Sequence, residues 1–154
     1  MRRLGAACLL IPAAVWLVTA CNRVVSFAPN PEDLLPAGSE VLETASYTPS
    51  GRGTEYRSIY WLVSVPENGN SQESIDAIVE KLERMEFARL PAAPHDWASI
   101  ALSDHQSYVA IGPYDRFAED DSELGPSEKS LFMEASTEFG GSSVVLLFAP
   151  IPDG

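Results

Sequence analysis

Both cysteines of this 154-residue chain, Cys8 and Cys21, fall within its first 21 residues. No disulfide can staple the remaining 133 residues (154 − 21), so any domain formed there is held by apolar burial and backbone hydrogen bonding alone. With 45% hydrophobic and 21% charged residues, the chain sits near the globular average and has the material for a core. Its length allows one small domain, and a leader or linker shortens the folding part further.

The formal charge is −12, and no acidic residue precedes Glu32. Removing residues 1–20 takes away Arg2 and Arg3 and leaves 8 basic against 22 acidic residues, or −14. Such a surface repels phosphate backbones and anionic lipid headgroups, because nucleic-acid affinity depends on Lys and Arg displacing counterions. The charge therefore argues against nucleic acid as a partner.

Met1-Arg2-Arg3 is a short basic start, and Leu4 to Val18 is an apolar run that includes Leu9, Leu10, Ile11, Val15, Trp16 and Leu17. These are the charged and apolar regions of an export signal. The run ends in Val18-Thr19-Ala20-Cys21. That tetrapeptide resembles the lipobox of bacterial lipoproteins, an aliphatic residue and two small ones before a cysteine. The resemblance implies cleavage between Ala20 and Cys21, acylation of Cys21, and a lipid anchor on the extracytoplasmic face of a cell membrane. Cys8 follows Gly5-Ala6-Ala7 but has no apolar region before it, so it does not fit. Two other readings stay open. Leu4 to Ala20, 17 uncharged residues, is at the lower edge of a membrane-spanning helix, and cleavage after Ala20 could also release the chain.

From Asn22 to Gly38 the chain carries Pro29, Pro31 and Pro36, a composition that predicts an extended tether. On this reading segment 21–38 is lipidated cysteine plus tether, the domain spans 39–154, and the tether holds that domain tens of ångströms from the headgroups. Val41 to Tyr47 and Tyr56 to Val65 read as strands of a hairpin around Thr48-Pro49-Ser50-Gly51-Arg52-Gly53, with Ile59, Trp61, Val63 and Val65 alternating on one face. Asn70 and Glu73 suit a capping box, and Ile75, Ile78, Val79, Leu82 and Met85 follow at helical spacing.

A second hairpin is predicted from Trp97 to Leu102 and Tyr108 to Ile111, turning at Ser103-Asp104-His105-Gln106 and ended by Gly112-Pro113. Residues 114–126 read as an acidic loop. A helix starting at Pro126-Ser127 would share Phe132, Ala135 and Phe139 on one face, although Leu131, Met133 and Ala135 also alternate as a strand would. Val144 to Phe148 is a continuous apolar run expected as a strand buried on both faces. The order β-β-α-β-β-α-β implies an α+β fold, a small two-layer sandwich of mostly antiparallel sheet with two helices. Without its first strand it resembles a ferredoxin-like split βαβ arrangement.

Chemistry-bearing patterns are sparse. His95 and His105 each adjoin an aspartate, Asp96 and Asp104, but neither has metal-ligand spacing and no thiol is available. No serine sits in Gly-x-Ser-x-Gly or Ser-x-x-Lys, and Gly51-Arg52-Gly53 and Gly140-Gly141 lack the lysine or spacing of a phosphate loop. The acidic run Glu119-Asp120-Asp121-Ser122-Glu123 does not follow the order of an EF-hand. The aromatic set Tyr56, Tyr60, Trp61, Trp97, Tyr108, Tyr114 and Phe117 reads as core or cross-strand pairs, with an exposed glycan- or protein-binding patch as the sharper alternative. The sequence thus implies no catalytic residue, metal or cofactor. It favours a membrane-tethered, non-enzymatic binding or accessory domain for an envelope protein or glycan. The competing reading is an envelope hydrolase built on His105, Asp104 and Asp96.

Overall fold

The computed structural model describes residues 24–26, 29–49, 55–66, 69–120, 123–139 and 142–151. The leader, Ala20 and Cys21 lie outside them. The strands are β1 (Val24–Ser26), β2 (Glu40–Tyr47), β3 (Glu55–Ser64), β4 (Ala88–Arg89), β5 (Ile100–Ser103), β6 (Ser107–Pro113) and β7 (Val144–Pro150). The helices are α1 (Pro31–Leu34), α2 (Ser71–Arg84), α3 (Tyr114–Glu119) and α4 (Pro126–Phe139).

Six strands form one antiparallel sheet in the order β2-β3-β7-β6-β5-β4, and β1 runs parallel to the first residues of β3. The fold is α+β, as expected. β7 is central, and every one of its residues is buried. This is why Val144 to Phe148 has no polar alternation: a strand covered on both faces has no solvent side to mark. The last described strand in sequence thus fills the middle of the sheet.

The two faces of the sheet carry separate cores. Trp61, Val63, Val109, Ile111, Val144, Leu146 and Phe148 point to one face, where Ile75, Ile78, Val79 and Leu82 of α2 cover them. Tyr60, Leu62, Ala110, Val145 and Leu147 point to the other, beneath Phe117 of α3, Phe132 of α4 and Trp97. The molecule therefore has three layers and not the two-layer sandwich expected from the sequence. The split βαβ order is not seen either: β3 and β4, the strands joined by α2, have β7, β6 and β5 between them, and α2 and α4 cover opposite faces.

α2 is capped as its sequence predicts. Asn70 Oδ1 accepts the Glu73 amide at 3.0 Å, and the Glu73 carboxylate reaches back to the Gly69 amide at 2.7 Å. Met85 leaves the apolar stripe: it is the C-cap residue, 39% exposed, and Glu86 beyond it takes a φ of 68° that ends the helix. α4 is anchored more thinly. Phe132 is its one buried residue among those described, Ala135 packs only partly, and Phe139 is 43% exposed, so the predicted three-residue apolar face is reduced to one strong contact.

The largest departure lies at the start of the domain. Within the expected tether, residues 30–35 are not free chain, because they form α1 and bury Leu34 and Leu35 in the α2-side core. Asn30-Pro31-Glu32-Asp33 is a helix start, with Asn30 as N-cap, Pro31 in the first turn and two carboxylates near the positive end of the dipole. Proline content alone suggests a broken chain, whereas Pro31 opens α1 and Pro36 follows its end. Two smaller corrections concern the second half. The acidic loop 114–126 contains α3, and Gly112-Pro113 continues β6 opposite Val145 and Val144 and does not end it.

Candidate functional site

The residues that bear chemistry in the sequence divide between two places. The first is the β5–β6 turn. Asp104 Oδ1 accepts the Gln106 amide at 3.0 Å, the Ser107 amide at 2.8 Å and the Ser107 hydroxyl at 3.0 Å, while Ser103 Oγ accepts the His105 amide at 3.1 Å. Partial burial raises the Asp104 carboxyl, but these hydrogen bonds outweigh it and hold the group below the usual carboxylate range. Asp104 is thus an anionic turn former. His105 sits at the tip with a φ of 77°, a conformation that polar turn residues tolerate better than β-branched ones.

The second is the sheet face opposite α2, where the 90–99 segment folds over β6. His95 Nε2 lies 3.2 Å from the Tyr108 hydroxyl, and the imidazole stacks on Trp97 with centroids 5.8 Å apart. Tyr60 is fully buried beneath this group, and Glu123 reaches its hydroxyl from the acidic segment. Burial first and the Glu123 carboxylate second push the Tyr60 phenol well above its ordinary value, and the same two causes raise Tyr108. Both phenols are therefore neutral donors near pH 7. They can orient a partner's acceptor or close the sheet face, and neither can serve as a base.

Asp96 is not part of either group. It lines a shallow depression of about 220 Å³ with Trp97, Arg116, Glu119 and Asp120, and neither His105 nor Asp104 borders it. Of the three residues of the hydrolase reading, His105 and Asp104 thus share the β5–β6 turn and Asp96 lies apart from them. Among the described residues no cluster of three His, Cys, Asp or Glu side chains could hold a metal ion. Glu119 ends α3, Asp120 is its C-cap and Glu123 faces Tyr60, so the acidic run is distributed over three environments. Asp121 and Ser122 lie outside the described residues.

The aromatic set goes largely into the core and not into an exposed patch. Tyr60, Trp61, Trp97 and Phe117 are buried, and Phe117 packs against Tyr60, Trp97 and Phe132 with centroids 5.2 to 5.9 Å apart. Beside this stack, α3 and α4 leave a cavity of about 160 Å³ lined by Tyr114, Phe117, Ala118, Lys129, Ser130 and Met133. That is below the roughly 300 Å³ at which small-molecule sites begin.

Sequence reasoning named His95, Tyr108 and Tyr60 separately, but not their convergence. His95 and Tyr108 are 13 residues apart on a loop and a strand, and no spacing rule links such positions. The signal that was available is the alternation placing Tyr60 opposite Trp61, which assigns it to the face away from α2. Comparison with known protein families, curated proteins and solved structures finds no match to this chain.

Proposed function

We propose that this chain is a bacterial lipoprotein, cleaved after Ala20, acylated on Cys21, and held by that residue on the extracytoplasmic face of a cell membrane. The observation that carries the reading is Val18-Thr19-Ala20-Cys21 at the end of a basic and then apolar leader. Two or three acyl chains, at about 0.8 kcal/mol per buried methylene, suffice for stable anchoring. Among the described residues no helix is long and apolar enough to cross a membrane. The folded part acts as a non-enzymatic binding or accessory domain for a partner in the cell envelope, protein or glycan. In support, the Asp104 carboxylate is taken up by its own turn, and the His95 imidazole faces Tyr108 and stacks on Trp97.

Intact-mass measurement of the membrane fraction, wild type beside Cys21→Ala, tests the anchor. Loss of residues 1–20 with added acyl mass, and an unacylated Cys21→Ala chain, supports it; an unprocessed wild-type chain sinks it. Hydrolytic turnover by the mature chain that is abolished in His95→Ala or His105→Ala would remove the non-enzymatic reading.

A further inference from the structure

We propose that one pole of the sheet, the end carrying β1, the β5–β6 turn and the C-terminus of α2, lies against the bilayer that holds the anchor. The proposal rests on acylation of Cys21. The first described residue, Val24, opens β1 and stands three residues beyond Cys21. At no more than about 3.6 Å per residue, those three residues span roughly 10 Å. The chain beyond β1 gives no further reach, because Leu34 and Leu35 are fixed in the core. The domain therefore starts about one screening length from the lipid, since charge is felt over roughly 8 Å in physiological salt.

The strand registers define which residues share that pole. β1 pairs with Glu55, Tyr56 and Arg57, the first residues of β3. β3 runs away from this end for ten residues, about 33 Å at 3.3 Å per residue, and α2 returns toward it. β4 starts here, with Ala88 opposite Ser103, and the β5–β6 turn follows. The end of β7 is tied to the same turn by the Ile151 amide, which donates to the Gln106 carbonyl at 2.8 Å.

This pole presents Arg57, Arg84 and Arg89, three of the six described side-chain cations, together with Met85 and Ile151, which are 39% and 37% exposed. Its acids include Glu55, Glu80, Glu83, Glu86, Asp104 and Glu123, and each of four has a partner in view: Glu80 pairs with Arg84, Glu83 with Arg89, Asp104 is taken by its turn and Glu123 faces Tyr60. Asp96, Glu119 and Asp120 line a depression beside α3 together with Arg116. The orientation follows from the short reach between Cys21 and Val24, which brings this pole to the lipid, and not from charge, since three arginines here face a larger number of acids. Met85 and Ile151 then meet the interface as apolar contacts.

Acylated Cys21 carries no free thiol and the mature chain has no other cysteine, so an introduced cysteine takes a fluorophore uniquely. Gln106→Cys marks the proposed lipid-facing pole and Gln72→Cys, in the first turn of α2, marks the opposite one. The mature acylated chain is placed in vesicles of zwitterionic and anionic phospholipid carrying a headgroup quencher. Quenching several-fold stronger at Gln106→Cys than at Gln72→Cys is expected. Equal quenching with acyl mass confirmed overturns the orientation and leaves the anchor standing, whereas absence of acyl mass overturns both. Shielding of the Gln106→Cys label in a lipid-free chain that begins at Asn22, and so has no other cysteine, assigns the pole to a second copy and also overturns the proposal.

Discussion

His95 Nε2 stands 3.2 Å from the hydroxyl of Tyr108, joining the loop before β5 to the middle of the sheet. The contact is partly buried, so deleting the hydroxyl leaves the imidazole without that partner. Tyr108→Phe is expected to lower unfolding free energy by about 1 kcal/mol, the net worth of one such bond. His95→Ala costs more, because it also removes the ring stacked on Trp97. Urea denaturation of both variants and of the double variant checks this: a double variant that merely sums the two singles would show that the bond does not couple them.

Leu35 lies in a segment whose composition reads as a tether, yet it is 4% exposed and packs with Val65, Ile75 and Val79 in the α2-side core. Leu35→Ala in the mature chain is expected to cost about 2–4 kcal/mol, the ordinary range for a buried leucine. A free tether would tolerate the change, so a loss below about 0.5 kcal/mol would place the residue at the surface. The same denaturation assay distinguishes the two.

The contrast between Leu35 and Val144 shows what the sequence can disclose. The run from Val144 to Phe148 is uninterrupted by polar residues, and a strand buried on both faces needs such a run. α2 is equally legible, since its cap and its apolar spacing are both local. The long-range arrangement is not. The three-layer stack depends on α4 lying opposite α2, and a helix anchored by Phe132 alone carries little periodicity to announce its side. Residues 30–35 escape the tether reading for a related reason: proline count says less than the order Asn30-Pro31-Glu32-Asp33, in which proline sits where its missing N–H costs nothing. Each candidate site residue is visible alone, and only the fold shows that His105 and Asp96 belong to different surroundings.

The Asp104 carboxylate gives stability a defined dependence on pH. Its folded-state pKa lies below the unfolded value of about 3.9, so its contribution is complete above that value and is lost as pH falls through the folded pKa. Asp104→Asn retains an oxygen acceptor but cannot ionise. The variant is expected to be less stable than wild type near neutrality and to approach it as pH drops below about 4. Thermal unfolding at several pH values between about 2.5 and 7 measures the gap; a gap that stays constant would mean that Asp104 carries no linked proton.

Gly112 is in β6 because no side chain fits there. A Cβ at this position would run into the Trp97 carbonyl oxygen, and it would lie 2.9 Å from Trp97 Cε3 and 3.0 Å from the Ala98 Cα. Two of these three atoms are backbone, so the neighbour cannot rotate away. The same close approach lets the 97–98 segment lie on β6, where it caps the stack of Trp97 against Phe117. Gly112→Ala is expected to cost at least about 2–3 kcal/mol through overpacking. Trp97 fluorescence should shift toward that of a more exposed indole, because the segment is pushed off the strand. Gly125→Ala serves as the control, since the nearest atom there is the end of the flexible Glu128 side chain. Equal losses for the two variants would show that contact with Trp97 is not what requires glycine at 112.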